Sequence, residues 1–325
     1  MPDASRAKVN MEQGQSFTAM KALTDSGDAT TFTSGGALLS RFTGRDPIVL
    51  PNGLVTGGAV TPAGSNDTVS AAAATVNLNG VVTSVTADAA LSITRAVSTD
   101  THMINSITVN AAGSYAVVTG TDGTSFSETR GDPGGPPLIP VDSIEIAQVR
   151  TTSFTSAVLL ASEIFAVPNV HLEKADFPGY TINYETGKVV FASALPTIHT
   201  GTVPKAVHME YYEAILAEVP DSVDFVPPEE AHATNSEQVY NRTIGSTSTS
   251  LGQGSFSVRT SDNVNDSVIT NKNEILWFQF FQDRNKTAYQ LTQAKLGISR
   301  THPAGSSITC DCTLSAESAT VERSA

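Results

Sequence analysis

The chain has 325 residues and a formal net charge of −13, long enough for a sizeable core and about two domains. Charged residues make up only 16%, against the ~25% usual in globular proteins, and no lysine or arginine cluster offers a grip on nucleic-acid phosphates. No apolar run approaches the roughly 20 residues of a membrane helix. The opening stretch MPDASRAKVNMEQGQSF lacks the apolar core of a signal peptide, so we expect a soluble protein made in the cytoplasm, without membrane contact.

Residues 1–46 balance five basic against five acidic residues and include the apolar phrase GGALLSRF. They read either as an arm or as the first strands of a later domain. A weak helical pattern runs from Phe17 to Leu23. From residue 47, after GRDPIVLPNG, the chain becomes a block of Val, Thr, Ala and Gly broken by the turn phrases PAGSND, LNG, NAAG and GTDG. Short strands at such spacing predict a small β-sandwich over 47–135. RGDPGGPPLIP (130–140) then packs proline and glycine too densely for any regular element, and we place a boundary there. Its Arg130–Asp132 tripeptide resembles an integrin ligand, but in an unexported chain it reads as loop. The four N-x-S/T sequons, at Asn66, Asn241, Asn265 and Asn285, read as polar turns.

Residues 136–325 form the third segment, with 12 basic and 21 acidic residues. DSIEIAQV alternates Ile144 and Ile146 against Ser143 and Glu145, a half-buried strand. PGYTINYETGKVVF predicts a hairpin, with Tyr180, Ile182 and Tyr184 on one face and Gly187 supplying a positive φ in the turn. AEVPDSVDFVPPEEAH, with five acids and three prolines, reads as a long extended loop over 218–230. SLGQGSFS reads as a turn between strands. NEILWFQFF is apolar on both faces and reads as a strand buried on two sides or sealed against a neighbouring subunit. DRNKTAYQLTQAKLG is the best candidate for a short helix. In SITCDCTL the two cysteines, Cys310 and Cys312, share parity with Ile308 and Leu314, so both face a core. The i, i+2 spacing suits a disulfide poorly, and a zinc site lacks its other ligands. Buried, inert thiols are the expectation.

The search for chemistry returns no constellation. HMEYYE puts His208 and Glu210 on one strand face as a possible metal pair, with a solvated strand face beside Tyr211 and Tyr212 as the plainer meaning. Glu229, Glu230 and His232 in PPEEAH are similar, and read more simply as a proline-flanked acidic loop. Nucleophile elbow, phosphate loop and dinucleotide fingerprint are all missing. We therefore expect no enzyme, no catalytic residues, no cofactor and no metal. A strand apolar on both faces in a chain without a visible site suits a structural subunit whose partner is itself, with closed ring symmetry covering its edges.

The segments FPGYTINYETGKVVFASALPTIHTG, SLGQGSFSV, NEILWFQFFQDRNKTAYQLTQAKLGISRTHPAG and ITCDCTLSAESATVE resemble the major tail tube protein of long-tailed, siphovirus-like bacteriophages and prophages. The likeness spans roughly 150–325 and is one of pattern and phrase. It implies a mainly all-β chain: a tail-tube β-sandwich or barrel domain with a short helix, plus a small Ig-like β-sandwich over 47–135 on the outside. It also implies stacked, hexameric rings closing one β-barrel conduit through which DNA passes without specific binding. The remaining implied partners are other tail proteins (tape measure, tail tip and terminator), and the implied location is the virion tail, assembled in the bacterial cytoplasm. Acidic residues facing the lumen would keep phosphates from sticking, with the 218–230 loop as one candidate for the lumen, for inter-ring contact or for a plain solvated loop.

The likeness leaves a contractile tail or a tube-like part of a secretion device open. The rival structural reading is a tail fibre, tail-tip or decoration protein whose β-domain binds cells or glycans. A carbohydrate hydrolase with paired carboxylates is disfavoured by a single tryptophan and 6% aromatics.

Overall fold

The computed structural model describes residues 6–240, 242–260 and 264–324, without the side chains of 231–237, 239, 243–247 and 249. It is an all-β chain, with one short α-helix, Ser267–Thr270, among the described residues. Two compact units divide it. Unit 1 comprises residues 1–17, 38–46 and 211–325, and unit 2 comprises 18–37 and 47–210.

Unit 1 is built on one antiparallel sheet. Its strands lie in the order Ser222–Val226, Gln253–Arg259, Thr309–Ala316, Tyr289–Thr301, Ile275–Phe281, Lys8–Ala22 and Val207–Glu218, the last two through their unit 1 residues. Side chains alternate across each strand, and the register brings one parity together. Phe256, Cys312 and Ile298 are cross-strand neighbours, as are Leu314 and Leu296. With Val9, Met11, Leu276, Phe278 and the helix residue Val268 they form a single core. The phenyl rings of Phe225 and Phe280 stack at 4.7 Å beside it.

The opposite face of this sheet is sealed only on one side. Leu39 and Ser40 are fully buried there, and Trp277 Nε1 donates to Leu39 O at 2.8 Å. Glu12, also fully buried, accepts from the Ser40 hydroxyl and from Trp277 N at 3.2 Å. Burial pushes its carboxyl up from the ordinary value. Leu276, Trp277 and Phe278 are thus buried from both faces, while Ile275, Phe280 and Phe281 of NEILWFQFF stay half-buried.

Unit 2 is a set of short sheets around its own core. Two are three-stranded: Gly53–Gly57, Ala74–Leu78 and Val81–Val85, and Val60–Pro62, Thr68–Ala71 and Asp88–Ser92. A third joins Tyr115–Thr119, Met103–Val109, Ile144–Thr151 and Ile164–Phe165. The fourth contains the expected hairpin, Tyr180–Asn183 with Lys188–Phe191, flanked by Thr31–Thr33 and Thr24–Asp25. Val69, Val76, Ile107, Ile144 and Leu159 meet in one cluster.

Several expectations are corrected. The boundary at 135/136 falls inside unit 2, because Met103–Val109 pairs with Ile144–Thr151 across the proline-glycine run and both feed one core. That run shows where regular structure stops, and the core closes around it. Of the two readings of the first segment, the structure agrees with first strands: Val9 and Met11 are core residues of unit 1 and Lys8–Ala22 is sheet, while residues 18–37 belong to unit 2. DRNKTAYQLTQAKLG contains no helix: Tyr289–Thr301 is a strand held by neighbours on both sides, a case of pairing overriding local propensity. Phe17 lies within the long strand Lys8–Ala22, not in a helix. The 218–230 segment holds the strand Ser222–Val226, paired to Gln253–Arg259 with a register shift, so it is not wholly loop. Ile144–Thr151 is buried on both faces, with Glu145 and Ser143 each 1% exposed, where alternation predicts one polar face.

Two measurements check this packing. Both cysteines are free and buried, and burial pushes both thiols up, so a thiol reagent should react only after unfolding. In the hairpin turn Gly187 has φ +61°, and a Cβ there would strike the Ser34 hydroxyl and lie 3.0 Å from Ala37 O. Gly187→Ala should therefore destabilise unit 2 by about 1–3 kcal/mol, read as a lower denaturant midpoint.

Candidate functional site

The sequence-level candidates are not brought together. His208 is 9% exposed on the strand Val207–Glu218, and burial lowers its pKa. It shares a face with Glu210, but the surface there is not solvated as expected: His208 packs beside Gly80, where a Cβ would lie 3.2 Å from its own. Glu229 and Glu230 are exposed. The His232 side chain lies outside the described residues. Among the described residues no group of three or more His, Cys, Asp or Glu could hold a metal ion.

The Arg130 guanidinium turns inward. Nη1 donates to Pro137 O at 2.8 Å, and Nη2 pairs with Glu145. The tripeptide's arginine is thereby consumed inside unit 2, tying the proline-glycine loop to the sheet.

Around this pair lies the most unusual chemistry of the described chain, which sequence reading missed. Glu145, Glu173, His199 and Lys205 are all nearly inaccessible. Glu145 accepts from the Ser106 hydroxyl and from Gln148 Nε2 at 3.3 Å. Its backbone exchanges two bonds with residue 173: Glu145 N donates to the Glu173 carboxylate and Glu173 N donates to Glu145 O, each at 2.9 Å. His199 Nε2 lies 3.0 Å from Ser143 O and 4.0 Å from Glu173 Oε2. Lys205 Nζ donates to the carbonyls of Lys174 and, at 3.3 Å, Phe177.

Desolvation sets the charges. Burial, partly offset by Lys205, raises the Glu173 carboxyl to about 7. Burial likewise lowers Lys205 to about 8, with Glu173 pulling back. Each partner is pushed toward its neutral form, and each restrains the other. His199 is lowered by the same burial. The only sequence signals were charged residues in unpatterned stretches, Glu173 and Lys205, which nothing linked before folding.

Two clefts lie in unit 1: about 490 Å³ bounded by Phe280, Lys286, Tyr289 and Arg323, and about 560 Å³ bounded by Lys8, Asp221, Val223 and Phe225. The hydrogen bonds of the buried cluster run to strand and loop backbone, from Lys205 to Lys174 O and Phe177 O and between residues 145 and 173, so it holds these segments together.

Lys205→Met should cost about 3–5 kcal/mol of unit 2 stability, because Glu173 is left buried without its cation. Adding Glu173→Gln should recover part of it, measured by urea unfolding. The pH sign follows from linkage. A carboxyl whose folded pKa is about 7, above its ordinary 4.5, contributes stability below 4.5 that is lost as pH rises through 7. Wild type should accordingly gain on Glu173→Gln as pH falls from 7 to 4.5.

No family model matches the chain, and no curated protein matches it.

Proposed function

We propose that the chain is a structural subunit that assembles with copies of itself as stacked, sixfold rings, forming the tail tube of a long-tailed phage, the conduit for DNA ejection. The observation that carries this reading is a ribbon of unit 1. Strands Glu230–Val239 and Arg242–Leu251 pair over ten residues each, and among the described residues they form a two-stranded sheet of their own. A two-stranded ribbon is marginal in water without a surface to pack on. Tyr240 at its tip is fully exposed, and Leu251 is 45% exposed at its base. Neighbouring copies would cover Tyr240 and Leu251.

A free sheet edge supports the same reading. Among the described residues Ser222–Val226 pairs only with Gln253–Arg259, and Val223 and Val226 stand about half exposed on it. Asp224 and the register shift between Val223 and Val226 blunt part of this edge. Pairing with a neighbouring copy would satisfy the open backbone groups and cover both valines. At Gly252 the ribbon passes directly into the sheet, with Gly252 N donating to Glu229 O at 3.0 Å. Load on the ribbon is thus carried into Gln253–Arg259. A fibre or decoration role finds no comparable observation in its favour.

The test is to replace residues 231–250 by a short glycine turn. The variant should keep the far-ultraviolet β signature and the buried thiols. In sedimentation velocity, it should lose the large species that wild type forms as concentration rises. A variant that assembles like wild type would overturn the ribbon's role, and a wild type that stays monomeric at every concentration would overturn the proposal.

A further inference from the structure

The proline-glycine run lies in a loop of unit 2 that leads into the strand Ile144–Thr151. Its backbone is folded on itself: Ser127 N donates to Gly134 O at 3.1 Å, Gly134 N to Thr121 O at 2.8 Å and Gly131 N to Pro136 O at 2.9 Å. Within it Asp132, Pro133, Gly134 and Gly135 make a tight turn, closed by Gly135 N donating to Asp132 O at 2.9 Å. Proline at the second position and Gly134 at the third, with φ +75°, suit such a turn. A Cβ on Gly134 would strike Ser125 O. Asp132 and Pro133 are exposed, whereas the four residues that follow are buried.

The bond from Asp132 to Pro133 joins two chemical weaknesses. The Asp132 carboxyl can reach its own main-chain carbonyl carbon through a five-membered ring, an intramolecular attack that needs no second molecule to be positioned. The Pro133 nitrogen belongs to a tertiary amide, and it takes up a proton on leaving more readily than an ordinary peptide nitrogen. The turn adds two further features. Gly135 N–H already points at the oxygen that becomes negative in the tetrahedral intermediate. Ser127 Oγ donates to Asp132 Oδ2 at 3.4 Å, leaving Oδ1 for the attack. The neighbouring charges are committed elsewhere, Arg130 to Glu145 and Glu128 to Arg150.

We propose that Asp132–Pro133 is a self-cleavage site, cut by the chain itself in mild acid. The Asp132 carboxyl oxygen bonds to the Asp132 carbonyl carbon, the C–N bond to Pro133 breaks, and the carboxyl proton passes to the proline nitrogen. The products are a cyclic anhydride at residue 132 and a new amino terminus at Pro133. One water then opens the anhydride, restoring the side chain and leaving a carboxyl terminus. The two halves stay together, because Met103–Val109 of the first pairs with Ile144–Thr151 of the second and both feed one core. Cleavage thus turns unit 2 into a two-chain domain without loss of fold, whether or not the protein assembles.

Incubating the purified full-length protein in mildly acidic buffer tests this, read by intact mass. The expected products are residues 1–132 and 133–325, which co-elute in native gel filtration and separate only under denaturing conditions. The same protein unfolded in urea at the same pH isolates the contribution of the fold. The folded chain should be cut at least about tenfold faster, given what one oriented donor to the oxyanion contributes. Asp46–Pro47, the chain's other aspartyl-prolyl bond, runs straight into the strand Ile48–Pro51 and should stay intact over the same period. Asp132→Ala should abolish the cut and Pro133→Ala should slow it strongly, each with the wild-type far-ultraviolet β signature. An uncut chain, cutting as fast in urea or at Asp46–Pro47, or cutting that persists in Asp132→Ala would each overturn the proposal.

Discussion

The pairing of Tyr289–Thr301 with its two neighbours decides the character of unit 1. Ile275–Phe281 on one side and Thr309–Ala316 on the other fix its register over most of its length. With the register fixed, Leu276, Phe278, Ala294, Leu296, Cys310, Cys312 and Leu314 all fall on the core face. A slip of one residue would exchange Leu314 for Thr313 and Leu296 for Gly297, losing the core. The sheet's order leaves Ser222–Val226 with a single neighbour among the described residues.

Unit 2 solves a different problem. Its strands are short, and many of its connections cannot be regular. Its sheets are supplemented by charge pairs: Arg130 with Glu145, Arg150 with Glu128 at 2.6 Å, and Arg95 with Asp67. The unit has seven basic and fifteen acidic residues, a net of −8. All three arginines and Lys205 are matched by acids of the same unit, so these pairs leave the net of −8 on its remaining groups.

Much of the fold was legible where one local rule acted alone. Cys310, Cys312 and Leu314 alternate with hydroxyl and acidic residues, and the strand follows. Tyr180 to Phe191 carries both the alternation and the Gly187 turn, and the hairpin follows. Legibility failed where distant residues decide. The proline-glycine run looked like a boundary because the Met103–Val109 and Ile144–Thr151 pairing that spans it leaves no local mark. Tyr289–Thr301 looked helical because Gln, Ala, Lys and Leu favour helix until two strands flank them. The buried Glu145–Glu173–Lys205 cluster was invisible, since its members come from separate stretches and only folding removes their water.

The central claim is self-assembly around a channel, and negative-stain electron microscopy of the purified protein across a concentration series tests it most directly. The account predicts hollow rings at intermediate concentration and stacked tubes with a continuous central channel at high concentration. Compact particles of one or two subunits throughout the series, or solid filaments without a channel, would contradict it.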